Sequence, residues 1–243
     1  MDQGTTPLRT IALAICCKTP MSGLSKTRLS PPLRPEECAA ISACFIRDLS
    51  ATIAEVEREG GVTGYALYTP RGSEASLLQL LPEGTKLMPQ VEGDFGERLL
   101  NGVIDLLAIG HSGAILINSD SPTLPKLILR SAADAVLSGD NCVLSRAADG
   151  GYTLIGLSKP HARLFADIPW STSDVFRLTV ERAQEIGLPV VEVPGWYDVD
   201  DAASLGMLEA EFAGERPSFA AIDGAEAAAT RHFVRVRQAM AAK

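Results

Sequence analysis

The chain has 243 residues, of which 46% are hydrophobic and 21% charged, a balance that supports a substantial buried core and excludes a disordered chain. Its formal net charge of −8 argues against nucleic acid as a general partner, which needs a basic footprint, but leaves room for a local cationic pocket around one small phosphorylated ligand. No apolar run reaches the roughly 18–20 residues of a membrane span. The N-terminal stretch MDQGTTPLRTIALAICCK is acidic at its start and too briefly apolar for a signal peptide, so a cytoplasmic protein is expected. Cys16, Cys17, Cys38, Cys44 and Cys142 form no CxxC pair and no zinc-like spacing, and read as reduced, buried thiols.

In chain order, TIALAICC (10–17) reads as a buried strand. Residues 36–59 carry helical periodicity, introduced by Pro35 and stopped by Gly60 and Gly61. VTGYALYT (62–69) is a second strand closed by Pro70. A short helix follows over 73–81, and KLMPQ forms a short strand. FGERLLNGVIDLLAIG (95–110) is helical, GAILIN (113–118) a strand, and 124–139 a helix with Pro125 near its first turn. CVLSRA (142–147) and YTLIGL (152–157) are strands on either side of a turn at Asp149, Gly150 and Gly151. A helix over about 172–186, a strand PVVEVP (189–194) and a helix from 201 complete the core.

Alternating strands and helices with near-continuous apolar strands predict an α/β fold with a mostly parallel sheet. No internal repeat or long linker divides the chain, so residues 1–215 are expected to form one domain. Residues 216–243 form an alanine-rich, helical tail. Packing on the core and an oligomer contact both suit that tail, so a homo-oligomer stands among the expectations.

In open α/β sheets ligands bind outside the carboxyl ends of the strands. The first strand is followed by Lys18 and the loop GLSKTRL (23–29), which packs Ser25, Lys26, Thr27 and Arg28 behind Gly23. GAILIN is followed by Ser119-Asp120-Ser121-Pro122, CVLSRA by AADGG (147–151), and the 189–194 strand by GWYDVDD (195–201). One cationic and three acidic loops thus converge on one edge. Asp120 sits directly after an apolar strand with Pro122 blocking further pairing, as a presented ligand does. Carboxylates of this kind suit Mg²⁺ or Mn²⁺, held by one or two protein carboxylates together with substrate phosphates. Asp198, Asp200 and Asp201 are all placed to supply a second carboxylate, although Asp201 also reads as a helix N-cap.

GLSKTRL lacks the glycine that a P-loop has before its lysine, yet Gly23, Lys26 and Arg28 can still clamp a phosphate. Other chemistries find little support. His111, His161 and His232 form no zinc-binding pattern, and Gly110-His111-Ser112-Gly113 has Ala114 where a nucleophile elbow needs glycine. No GxGxxG follows the first strand. Trp170 and Trp196 stand near the acidic loops, where stacking on a base or sugar and core packing are both open.

Taken together, Lys18-Thr19-Pro20-x-x-Gly23-x-x-Lys26-Thr27-Arg28-Leu29, QVEGDFGERL (90–99), NSDSPTLP (118–125), AADGGYTLIGL (147–157), FADIPWST (165–172) and DVDDAASL (198–205) resemble the bacterial DUF2064 family of glycosyltransferase A-like proteins. In outline that family is related to the 2-phospho-lactate guanylyltransferases and the molybdenum-cofactor nucleotidyltransferases. The resemblance covers about residues 10–210. Where the family usually has Gly-Asp-Ser-Pro, this chain has Ser119-Asp120-Ser121-Pro122.

The resemblance implies a three-layer αβα sandwich of the GT-A type that binds a nucleotide through a divalent metal. By position, Gly23, Lys26 and Arg28 match the phosphate-handling loop, Asp120 the metal-binding aspartate and Asp200 a second ligand. Asp149, Gly150 and Gly151 match the acceptor side. The role of Gln90, Glu97 and Arg98 in their motif does not follow from the residues.

The leading expectation is metal-dependent nucleotidyl transfer from an NTP to a small phosphorylated or hydroxylated acceptor, with Lys26 and Arg28 stabilising phosphate charge and Lys18, Ser25 and Thr27 lining the nucleotide. Glycosyl transfer from a nucleotide sugar uses the same site and cofactor and stands as the alternative. A non-catalytic nucleotide or metabolite sensor is the third.

Overall fold

A computed structural model describes residues 9–241; most of the acidic start read against a signal peptide, and the last two residues of the tail, lie outside the described residues. Seven strands, β1 (Ile11–Lys18), β2 (Val62–Thr69), β3 (Lys86–Pro89), β4 (Gly113–Ile117), β5 (Cys142–Ala147), β6 (Tyr152–Leu157) and β7 (Val190–Trp196), form one sheet in the order β3-β2-β1-β4-β6-β5-β7. All pairs are parallel except those of β6, which runs antiparallel to β4 and β5. The helices are α1 (Pro35–Arg58), α2 (Glu74–Leu78), α3 (Phe95–Ala108), α4 (Lys126–Ser138), α5 (Val175–Glu185), α6 (Ala202–Phe212) and α7 (Ala228–Ala241). Among the described residues no helix is long and apolar enough to cross a membrane.

The central strands carry apolar side chains on both faces, as strands covered on both sides must. Ile11, Leu13, Ile15 and Cys17 of β1 join a core with α1, α4 and α6, while Ala12 and Ala14 face a second core built with α3 and α5. This is the three-layer α/β sandwich that the strand–helix alternation predicts. Helix α3 begins in a reciprocal cap, with Asp94 accepting from the Glu97 N–H at 2.8 Å and Glu97 accepting from the Asp94 N–H at 2.9 Å. Helix α5 begins at Val175 rather than near 172, because residues 172–174 form a turn in which the Val175 N–H donates to the Thr172 carbonyl at 3.4 Å.

β6 turns back on β5 through Asp149-Gly150-Gly151, where the Asp149 carboxylate accepts from the Gly151 N–H at 2.8 Å. The reversal brings the end of β5 and the start of β6 to the sheet edge where β1, β4 and β7 also end. Gly150 has φ 97°, and a Cβ there would lie 2.3 Å from the carbonyl oxygen of Ser173. Both features demand glycine.

The tail helix α7 is tied to α1 by a buried carboxylate. Asp48 accepts from the backbone N–H groups of Ala229 (3.0 Å) and Thr230 (2.8 Å) and from the Thr230 hydroxyl (2.6 Å). An anion at a helix N-terminus satisfies donors that the helix itself leaves unpaired. Asp48→Ala is expected to lower unfolding stability by about 1–3 kcal/mol, since it strips these donors of their acceptor. Urea denaturation measures the loss, and hydrogen exchange should show α7 amides losing protection before those of β1.

Candidate functional site

The carboxyl ends of β1, β4, β5 and β7 open on a cleft of about 540 Å³. Its first wall is the loop after β1. Thr19 continues the sheet by donating its N–H to the Thr69 carbonyl at 2.9 Å, after which the chain folds back: the N–H groups of Leu24 and Ser25 donate to the Met21 carbonyl, and the Ser25 hydroxyl accepts from the Met21 N–H at 2.9 Å. Lys26 then takes a left-handed backbone conformation (φ 48°, ψ 41°) ahead of the 3-10 turn Thr27–Leu29. A non-glycine residue in that region is uncommon and occurs where surrounding contacts fix it.

Those contacts are made by the Lys26 side chain, which is buried. Its Nζ donates to Asp200 Oδ1 (2.6 Å) and to the Val199 carbonyl (2.8 Å), and it forms an ion pair with Asp120 Oδ1 (2.7 Å). Three oxygens therefore lie within 2.8 Å of the ammonium. Burial alone would depress its pKa, but the Asp120 and Asp200 charges more than offset this and hold it above the ordinary lysine value. The Val199 N–H donates in turn to the Asp120 carbonyl at 2.8 Å, so the β4 and β7 loops are joined through backbone as well as through the lysine.

Lys26 was expected to face phosphate. Instead it neutralises the two carboxylates expected to hold metal, because these lie within reach once β4 and β7 are brought to the same edge. Of the cations that line the cleft, Lys18, Arg28 and Arg98 have no carboxylate partner among the described residues. Arg98 was noted in its motif but given no role by sequence. It stands one turn into α3, with its guanidinium 5.4 Å from the Phe95 ring centroid and Nη1 donating to Gln90 Oε1 at 3.4 Å. Its position in the first turn of a helix aimed at the sheet edge is the signal that identifies it.

Ser25, Thr27 and Asp149 line the cleft, as does Gly151. Gly23 and Gly150 do not. Gly23 supplies the positive φ (73°) of the exposed loop, and Gly150 packs against the Ser173 backbone behind the cleft wall. The Gly150 carbonyl also accepts from the Phe176 N–H at 2.9 Å, tying the β5–β6 turn to the start of α5. Asp201 caps α6 by accepting from the Ser204 N–H at 2.9 Å. Of the two tryptophans, Trp170 lines the cleft, edge-on to Phe95 at 5.0 Å between centroids. Trp196 is core, 1% exposed, with its indole N–H donating to Thr123 Oγ1 at 3.1 Å.

Asp198 is the further acidic residue of the cleft. In the extended segment Asp198-Val199-Asp200, alternation buries Val199 and turns both aspartates to the cleft side. Burial, and then the charges of Asp149, Asp200 and Asp120, push the Asp198 carboxyl up to about 7. Asp120 and Asp200 present hard oxygens to one point, a donor set suited to Mg²⁺ or Mn²⁺ shared with phosphate oxygens. Among the described residues no group of three or more His, Cys, Asp or Glu side chains is placed to hold a metal ion.

The architecture is the nucleotide-diphospho-sugar transferase-like fold of the GT-A type. A structure from Desulfovibrio desulfuricans G20, provisionally described as a nucleotide-diphospho-sugar transferase, is 24% identical over 96% of each chain with a TM-score of 0.80. A cytidylyltransferase from Leptospira borgpetersenii serovar Hardjo-bovis is 11% identical over 96% of each chain, with a TM-score of 0.56. CMP:2-keto-3-deoxy-manno-octonic acid synthetase complexed with CTP is 13% identical over 85% of this chain and all of that one, with a TM-score of 0.52.

The family resemblance read from the motifs holds: the model of DUF2064, described as an uncharacterised protein conserved in bacteria, matches residues 52–172. That segment includes Arg98, Asp120 and Asp149 and leaves out Lys26 and Asp200. No curated protein matches the sequence.

Because the folded protein holds the Asp198 carboxyl above its ordinary 3.8, the protonated form is favoured by folding. The stabilisation this provides is complete below about pH 4 and lost as pH rises through about 7. Asn stays neutral throughout, so Asp198→Asn should melt increasingly above wild type between pH 5 and pH 8. Thermal melts at the two pH values measure the difference; an unchanged gap would show that Asp198 is not held in its acid form.

Proposed function

We propose that the protein is a transferase whose cleft binds the phosphates of a nucleotide and passes its nucleotidyl group to a small phosphorylated or hydroxylated acceptor. The observation that carries this reading is the division of charge in the cleft. Lys18, Arg28 and Arg98 are free to meet anionic oxygens, while Asp120 and Asp200 converge on one cationic point opposite them.

In this reaction an acceptor oxygen bonds to the α-phosphorus as the bond to the bridging oxygen of pyrophosphate breaks, and pyrophosphate leaves with the electron pair. Charge grows on the leaving group, and fixed cations beside it lower the barrier. Arg28 and Lys18, on the loop and strand end after β1, are assigned that work, with Ser25 and Thr27 in the same loop around the phosphates. Mg²⁺ or Mn²⁺ held by Asp120 and Asp200 with phosphate oxygens supplies further neutralisation and orients the reacting phosphate when bound. Asp149 and Gly151 form the opposite, acceptor wall. The synthetase that shares this fold with CTP bound supports a nucleotide in a cleft of this kind. Glycosyl transfer is the second reading, favoured by the description of the Desulfovibrio structure and its TM-score of 0.80.

A thermal-shift panel of the four NTPs and the UDP-, GDP- and dTDP-sugars, with and without Mg²⁺ or Mn²⁺, separates the readings. Ligand at 100 times its dissociation constant stabilises by about 2.7 kcal/mol, or roughly 5–10 °C for a chain of this size. A metal-dependent shift with one NTP is expected; a shift with a nucleotide sugar alone selects glycosyl transfer, and no shift with any of them removes both readings. Arg28→Ala should weaken triphosphate binding about tenfold while leaving nucleoside binding unchanged, measured by calorimetric titration.

A further inference from the structure

The Lys26 contacts bear on how a metal enters the cleft. The ammonium occupies the point on which Asp120 Oδ1 and Asp200 Oδ1 converge, at 2.7 and 2.6 Å. Mg²⁺ and its carboxylate oxygens sit about 2.0–2.1 Å apart. Two cations cannot both take these two oxygens without being forced together at the wall of the cleft, where like charges repel. Lys26 is held in place further by the Val199 carbonyl, to which it donates at 2.8 Å. For Lys26 to reach a phosphate it must give up some of these oxygens, and for a metal to take both Oδ1 atoms Lys26 must leave.

We propose that Lys26 is an internal counter-ion that competes with the divalent cation for Asp120 and Asp200, so that metal entry and transfer of the Lys26 ammonium to an anionic ligand are one coupled exchange. The proposal rests on the reading that Asp120 and Asp200 hold the metal. It assigns Lys26 a positioning role in the resting protein: it keeps the β4 and β7 loops closed on each other and keeps the carboxylate pair neutralised until phosphate arrives. Metal alone then binds weakly to the protein. A side chain in place of Lys26 that cannot compete frees the pair.

The test is Mn²⁺ binding followed by electron paramagnetic resonance, with metal alone, on wild type, Lys26→Met and Lys26→Met/Asp120→Asn. Lys26→Met should bind Mn²⁺ at least tenfold more tightly than wild type, and adding Asp120→Asn should abolish the gain. Equal or weaker binding by Lys26→Met overturns the competition while leaving the metal reading intact. Failure of all three to bind Mn²⁺ removes the metal reading and the competition with it.

Circular dichroism checks that Lys26→Met folds. If it does not, wild type carries the test through acylation of Lys26 by a small reactive ester, read by mass spectrometry. Lys26 should be protected without metal and labelled severalfold faster at saturating Mn²⁺; an unchanged rate overturns the proposal.

Discussion

A single ammonium group holds the functional edge of this protein together. Lys26 joins three pieces of chain that sequence separates widely: its own loop after β1, the Asp120 loop after β4 and the Val199–Asp200 segment after β7. Carboxylates of like charge brought to one edge would repel and spread those loops. With the lysine between them the same charges become a clasp. Removing one partner from a buried ionic cluster costs far more than the cluster adds over an apolar packing, because the remaining charge is stranded. The left-handed backbone at Lys26 is what this placement demands of the loop.

The clasp also explains how charge is distributed in the cleft. Of its cations, the one in the most conspicuous motif position is engaged with protein, and Lys18, Arg28 and Arg98 are the ones facing outward. Burial first, and then the charges of Asp149, Asp200 and Asp120, make Asp198 hold its proton to higher pH than an ordinary aspartate. Cationic groups and a cluster of carboxylates thus face one cleft. A nucleotide polyphosphate bound with a divalent ion would complete both halves together.

Much of the fold was legible in the sequence because its signals are local. Apolar runs such as Ile11–Lys18 and Tyr152–Leu157, bounded by glycine and proline, mark strands wherever they fall in space. The edge on which the polar loops meet follows from the parallel arrangement alone. What the sequence does not encode locally is which ion meets which. The pattern around Lys26 specifies a cation in a tight loop, and only the sheet order β1-β4-β6-β5-β7 puts Asp120 and Asp200 within its reach. Gly150 was misread for a related reason, since its need for a bare backbone comes from Ser173, a contact across the fold. Asp198 was within reach of sequence reasoning: the alternation Asp-Val-Asp in an extended segment already sets two carboxylates on one side.

The glycine turn between β5 and β6 has a mechanical consequence. Gly150 meets the Ser173 backbone too closely for even a methyl group, and its carbonyl is bonded to the Phe176 N–H. The turn that carries Asp149 and the segment that carries Trp170 are therefore two parts of one rigid wall, unable to separate without breaking that seam. The start of α3 closes onto the same wall, since a Cβ at Gly96 would lie 2.7 Å from the Phe165 carbonyl oxygen and 3.0 Å from the Trp170 indole nitrogen, so the turn, the Trp170 segment and the helix start hold the shape of that side of the cleft together.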